Sequence, residues 1–115
     1  MNPNSKSPLV NVARVTAAIG KEQALQDAIL ATVAATRSEA GNIDFILHAS
    51  ADNPRHFLLL EYWEDESALS AHMKNSTFVA FSEKAKREEL LDGEADNSHW
   101  FRLDAPVPGK ESRPR

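Results

Sequence analysis

The sequence predicts one α+β domain with the element order β-α-β-β-α-β. Three observations carry this reading. Four short stretches are β-branched or alternate apolar with polar residues. Two longer stretches contain no Pro or Gly and space their apolar residues as a helix does. Gly, Pro, Asp and Asn punctuate the boundaries between them.

Leu9–Ala17 (LVNVARVTA) is rich in Val and Thr, reads as the first strand and is closed off by Gly20. Lys21–Ala40 places Leu25, Ile29, Val33 and Thr36 on one helical stripe, flanked by Ala24, Ala28, Ala31 and Ala35, so this helix can lie close to a sheet. Gly41 is its expected stop. Asn42–Ser50 and Arg55–Trp63 are the second and third strands. The turn residues Ala51-Asp52-Asn53-Pro54 between them predict an antiparallel hairpin. Asp65 is placed to cap a short helix from Glu66 to about Met73. Asn75 or Ser76 can cap another that runs to about Leu91, with Phe78, Phe81, Ala85 and Leu90 facing inward. The second helical stretch is thus split in two. Ser98–Leu103 (SHWFRL) closes the domain as a fourth strand.

This order is the split βαβ, or ferredoxin-like, arrangement of a four-stranded antiparallel sheet. Right-handed crossovers put all the helices on one face of the sheet. Strand alternation then sends Phe57, Leu59, Glu61 and Trp63 to one side and Leu58, Leu60 and Tyr62 to the other, so both faces are apolar. The fourth strand repeats this, with Phe101 and Leu103 opposite Trp100. A sheet with one helical layer and two apolar faces needs a second cover, and the simplest is a homodimer whose sheets pack face to face, a dimeric α/β barrel. The folded domain is expected over residues 9–104. Residues 1–8 are expected to be a disordered N-terminal segment and 105–115, with three of the six prolines, a flexible tail.

Composition narrows the function. Thirteen Lys and Arg against seventeen Asp and Glu leave a net charge of −4, which argues against a general nucleic-acid binder. The absence of Cys excludes disulfides, thiolate metal sites and a Cys nucleophile. Apolar runs such as Phe57–Leu60 are too short to span a membrane, and the first eight residues lack the apolar core of a secretory signal, so a cytoplasmic location is expected. Four Gly residues and no Gly-rich phosphate loop leave little room for a nucleotide cradle. His48, His56 and His99 show no ligand spacing and are read as surface or supporting residues. No metal site is expected. The run Glu83–Glu89 alternates charge at helical spacing and reads as a solvated face.

The segment Leu60-Glu61-Tyr62-Trp63-Glu64-Asp65, followed by Ala68-Leu69-Ser70-Ala71-His72 and Ser76-Thr77-Phe78-Val79-Ala80-Phe81, resembles the antibiotic biosynthesis monooxygenase domain family. Glu39-Ala40-Gly41-Asn42 fits that family's E-x-G turn ahead of the second strand. The resemblance covers roughly Val10 to Leu103 and is closest to the small quinol monooxygenases. It implies a dimeric ferredoxin-like barrel that oxygenates electron-rich phenols or quinols with O2 and needs no metal, flavin or haem cofactor. The family's haem-degrading branch carries an Asn and a ligand His at positions that fall on Ala13 and near Ser82 here, so haem is disfavoured. Asn11 lies two residues off that register on the same strand face.

The implied chemistry sets demands on the residues. A neutral His titrates near ~6.5 and a phenol near ~10, so direct proton transfer is uphill by roughly 5 kcal/mol. A base therefore needs help from donors or a cation that stabilise the phenolate. His72 is the candidate base. Arg14 and Trp63 Nε1 are the candidate donors. Phe45, Phe78 and Phe81 are expected to wall an aromatic substrate, with Glu61 and Asn11 at the same site. Each has a plainer role open to it: Trp63 and the Phe residues as core, Glu61 as an ion-pair partner of Arg14 or Arg102 or as the group that orients His72. Two other functions stand beside this one: a non-catalytic dimeric module that binds a small apolar ligand or a partner, and a weaker third, a sugar-phosphate isomerase, which would want basic residues around the pocket, for which Lys74, Arg55 and Arg14 show no obvious cluster.

Overall fold

The computed structural model describes residues 8–104. The expectations for the two chain ends lie outside these residues, except at Pro8. The elements are β1 (Leu9–Thr16), α1 (Glu22–Arg37), β2 (Asn42–Ala49), β3 (His56–Trp63), α2 (Glu66–Lys74), α3 (Ser76–Arg87) and β4 (Asp96–Phe101). The strands form one antiparallel sheet in the order β2-β3-β1-β4, the ferredoxin-like topology that the sequence predicts.

Strand register decides which residues share the face beneath the helices. Pairing β1 with β3 sets Leu9 against Trp63, Asn11 against Glu61, Ala13 against Leu59 and Val15 against Phe57. Both ends of this face are closed by apolar packing. At one end Val15, Phe57, Leu25, Ala28, Ile29, Ala85 and Leu90 form the larger cluster. At the other, Leu9 and Trp63 meet Leu69. Burying each large aliphatic side chain contributes roughly 1.5–3 kcal/mol relative to exposure. Between the two clusters lie the Asn11–Glu61 and Ala13–Leu59 pairs, where the packing leaves an opening.

Several boundaries differ from expectation for local reasons. The first helix stops at Arg37, not Ala40. The Ser38 hydroxyl donates to the Ala35 carbonyl, Glu39 N–H donates to Thr36 O, and the chain turns through Gly41 at φ +82°. Of the flanking alanines only Ala28 is buried; Ala24, Ala31 and Ala35 face outward. Asp65 and Asn75 cap α2 and α3 as expected, accepting from Ala68 N–H and Thr77 N–H. Yet α3 ends at Arg87, not Leu91. Leu90 N–H donates to Ala85 O and Glu89 N–H to Lys86 O, with Glu89 in the left-handed region at φ +52°. This is a Schellman stop, and it swings Leu90 into the core beside Ala85. The last strand begins two residues earlier than expected because it pairs only with β1, from Arg14–Asp96 to Leu9–Phe101. Leu103 lies beyond it and is exposed.

The opposite sheet face carries Val12, Ile46, Leu58, Leu60 and Tyr62, each half-buried, and an exposed Trp100. No helix of the described residues is long and apolar enough to cross a membrane.

Candidate active site

The site is built around His72 in the last turn of α2. The Asp65 cap fixes where this helix starts, and of its residues only Leu69 and His72, one turn apart, are buried against the sheet. The His72 imidazole sits among three aromatic rings: Trp63 at 4.8 Å between centroids, Phe78 at 5.2 Å in edge contact and Phe45 at 5.9 Å. Its Nδ1 lies 3.0 and 3.3 Å from the two carboxylate oxygens of Glu39. A carboxylate only accepts, so Nδ1 carries the hydrogen and donates to it. In the neutral ring this leaves the lone pair on Nε2, for which the described residues provide no hydrogen-bond partner.

Glu39 reaches this position because α1 ends early. The turn through Gly41 sits directly against α2, where a Cβ on residue 41 would collide with the Ala68 Cβ. Gly41 O also accepts from Glu64 N–H, tying the turn to the end of β3. The E-x-G segment therefore delivers a carboxylate to His72, a role the sequence reading did not assign to Glu39.

Glu61 is a second carboxyl and a buried one, only 4% exposed, held on β3 between Asn11 of β1 and Phe45 of β2. Trp63 Nε1 donates to its Oε1 at 3.3 Å. Burial pushes the Glu61 carboxyl above the ordinary carboxylate value of 4.5. The charge of His72 and the Asn11 and Trp63 side chains oppose this in part, and the nearby Glu39 charge adds to it. Among the described residues no Lys or Arg pairs with Glu61, so the expected ion pair with Arg14 or Arg102 is replaced by amide and indole contacts.

These groups border a cavity of about 50 Å³ walled by Ile29, Phe45, Leu59, Phe78 and Phe81, with Glu61 and His72 at its polar end. Thr36 also lines it, fully buried, and its hydroxyl has no partner. Leu59, Glu61, His72, Phe78 and Phe81 line at the same time a larger groove of about 800 Å³ that extends past Asn11 between α3 and the sheet.

The structure thus brings together His72, Glu61, Phe45, Phe78 and Phe81, with Asn11 at the groove. It does not bring Arg14. That residue alternates onto the other sheet face, opposite Leu58 and Asp96, where it is exposed beside His48 and His56. Trp63 touches His72, but it belongs to the apolar cluster at the sheet end and its N–H is committed to Glu61. Neither expected donor therefore faces the cavity. Sequence alone gives Thr36 no role beyond packing, since a Thr on an apolar helix stripe carries no further signal.

Known proteins resemble this chain in sequence and fold. Residues 8–84 match the family model described as "Antibiotic biosynthesis monooxygenase". The crystal structure of PA3566 from Pseudomonas aeruginosa superposes with a TM-score of 0.80 at 33% identity, over 87% of this chain and 98% of that one. Rv0793 from Mycobacterium tuberculosis superposes with a TM-score of 0.77 at 26% identity, over 88% of this chain and 100% of that one. A curated Bacillus subtilis (strain 168) protein named "Putative monooxygenase YcnE" is 34% identical over 61 residues, 53% of this chain; the match spans 62% of that relative's length. The family match spans most of the folded residues, the E-x-G turn and the His72 helix included: the chain belongs to the antibiotic biosynthesis monooxygenase family.

Proposed function

We propose that this protein is a cofactor-independent monooxygenase that oxidises a quinol or other electron-rich phenol with O2, and that it works as a cytoplasmic homodimer. The observation that carries the reading is His72, buried among aromatic rings with Nδ1 held by Glu39 and Nε2 left as the free acceptor. That is the arrangement of an oriented general base, in which the carboxylate fixes the tautomer and stabilises the imidazolium as it forms. A phenolic ring in the groove, between Phe78, Phe81 and Leu59, would present its hydroxyl to Nε2.

The proton passes to His72 and the phenolate becomes the reductant. In the overall reaction a ring C–H and the phenolic O–H become two carbonyl groups. One oxygen atom of O2 enters the ring, and the other leaves as water with both hydrogens. The substrate supplies all four electrons, so the protein need only take up a proton, hold the anion and keep bulk water away. Among the residues that line the groove the one Lys or Arg is Lys86, set beside Glu89 and Glu94, which counts against a phosphorylated sugar as substrate.

Purified protein should consume O2 in the presence of a reduced naphthoquinol faster than autoxidation. Ligand-induced stabilisation without any excess O2 uptake would favour the non-catalytic binding module.

A further inference from the structure

A base of His strength cannot by itself hold a phenolate, and both expected stabilising donors are absent from the cavity: Arg14 lies on the opposite sheet face and the Trp63 N–H is already used. The polar end of the cavity holds instead a second carboxyl with an unusual set of neighbours. The indole of Trp63 donates to Glu61 Oε1, and the Asn11 side-chain amide lies within hydrogen-bonding reach of the same carboxyl. Its cross-strand partner Asn11 is 3% exposed and donates its amide N–H to Asn97 Oδ1 at 3.2 Å, which leaves the Asn11 Oδ1 buried with no donor. An orphaned buried acceptor is unfavourable, and a proton on the neighbouring carboxyl would supply it with a donor.

We propose that Glu61 is the oxyanion donor of this site: a neutral carboxylic acid whose Oε2–H is given to Asn11 Oδ1 in the free protein and to the substrate oxyanion when the pocket is filled. The second half of this assignment rests on the phenol-oxidation reading; the first half does not.

Charge counting supports it. The groups facing Glu61 are His72 from α2, Glu39 from the turn after α1, the Trp63 indole and the amide of Asn11, which is itself bonded to Asn97. One imidazole cannot neutralise two carboxylates, and Glu39 already holds it at 3.0 Å, so Glu61 has no counter-ion within the pocket. Burial disfavours its ionised form in the same direction. A carboxyl kept neutral in an apolar pocket is a strong, preorganised donor toward a developing oxyanion, and here it gives up no proton during the transfer. The phenolic hydrogen moves to His72 Nε2; the Glu61 hydrogen stays on its own oxygen and shortens its bond to the phenolate.

Two measurements test this. The infrared spectrum of the wild-type protein at neutral pH should show the carbonyl band of a protonated carboxyl group, and Glu61→Gln should remove it. A wild-type spectrum without the band overturns the proposal and would mean that both amides are turned, with the Asn11 NH2 group donating to a carboxylate. The second measurement is binding of 2-hydroxy-1,4-naphthoquinone, an acidic phenol analogue that is anionic at neutral pH. Glu61→Gln keeps a neutral donor and should bind it within about threefold of wild type, whereas Glu61→Leu should bind about tenfold more weakly. A gain of about tenfold in Glu61→Gln would show that a negative charge had been removed, and overturns the proposal. If no variant binds the analogue, the oxyanion role fails with the phenol reading, while the infrared band still decides the state of Glu61.

Discussion

At the scale of residues, the proposed reaction gives a half-buried carboxyl, Glu39, and a buried one, Glu61, different tasks around one imidazole. Glu39 fixes the His72 tautomer and carries the counter-charge; Glu61 faces the cavity without a cation. Glu39→Gln keeps an acceptor for Nδ1–H but loses the charge that stabilises the imidazolium. Its kcat should fall about 10- to 100-fold with KM nearly unchanged, the acidic limb of the pH profile should move to lower pH because the imidazolium has lost its counter-charge, and Glu39→Asp should recover part of the rate. An unmoved pH profile would reduce Glu39 to a packing role. Glu61 also makes a signed prediction for stability. Its folded-state value is raised, so its neutral form is favoured on folding. The stability it confers is full below about 4.5 and is lost as pH rises from there through the raised value. Urea midpoints of Glu61→Gln relative to wild type should therefore climb across that window and then level off. Part of this pocket was legible from periodicity, which puts Glu61 on the strand face of Leu59 and Trp63 and turns Phe78 and Phe81 inward; His72 and Phe45 became candidates only through the family resemblance. The error over Arg14 was legible too: Asn11 and Arg14 are three apart on one strand, so they cannot share a face. What periodicity cannot reveal is that Glu39 points at His72, because that contact spans the end of one helix and the end of another.

Elements set the precision of these contacts. The α1–β2 turn is pinned by Gly41, which combines a left-handed backbone with a close approach to Ala68 of α2. Gly41→Ala should cost about 2 kcal/mol or more in urea unfolding, through backbone strain and overpacking together. It should also lower activity, since the displaced turn carries Glu39. A substitution that left both unchanged would detach the turn from the site. Capping chemistry was readable at Asp65 and Asn75, where side chain and position agree. The end of α3 was not, because its left-handed residue is Glu89 rather than Gly. Burial of Leu90 holds that conformation from a distance. The displaced β4 has a similar origin: its bounds follow from where β1 begins and ends, not from its own apolar residues.

For the whole molecule, the sheet is the organising fact. One face, under the helices, contains the cavity; the other presents the row Ile46–Leu60–Val12 across three strands, with Trp100 exposed nearby. We propose that this row is the centre of the homodimer. Light scattering should give twice the chain mass for wild type, and Leu60→Asp should give a single chain with the fold intact by circular dichroism. A wild-type protein with the mass of one chain would contradict this. The element order and both apolar faces were legible because each follows from alternation within a strand, and the topology then allowed few alternatives. The claim on which the function depends is that His72 draws a proton from a phenolic substrate that then reduces O2. The direct measurement is O2 uptake with a reduced naphthoquinol, comparing wild type, His72→Ala and the uncatalysed reaction. The account predicts an excess over autoxidation in wild type that falls by about 100-fold or more in His72→Ala. Equal rates in the two proteins would contradict it.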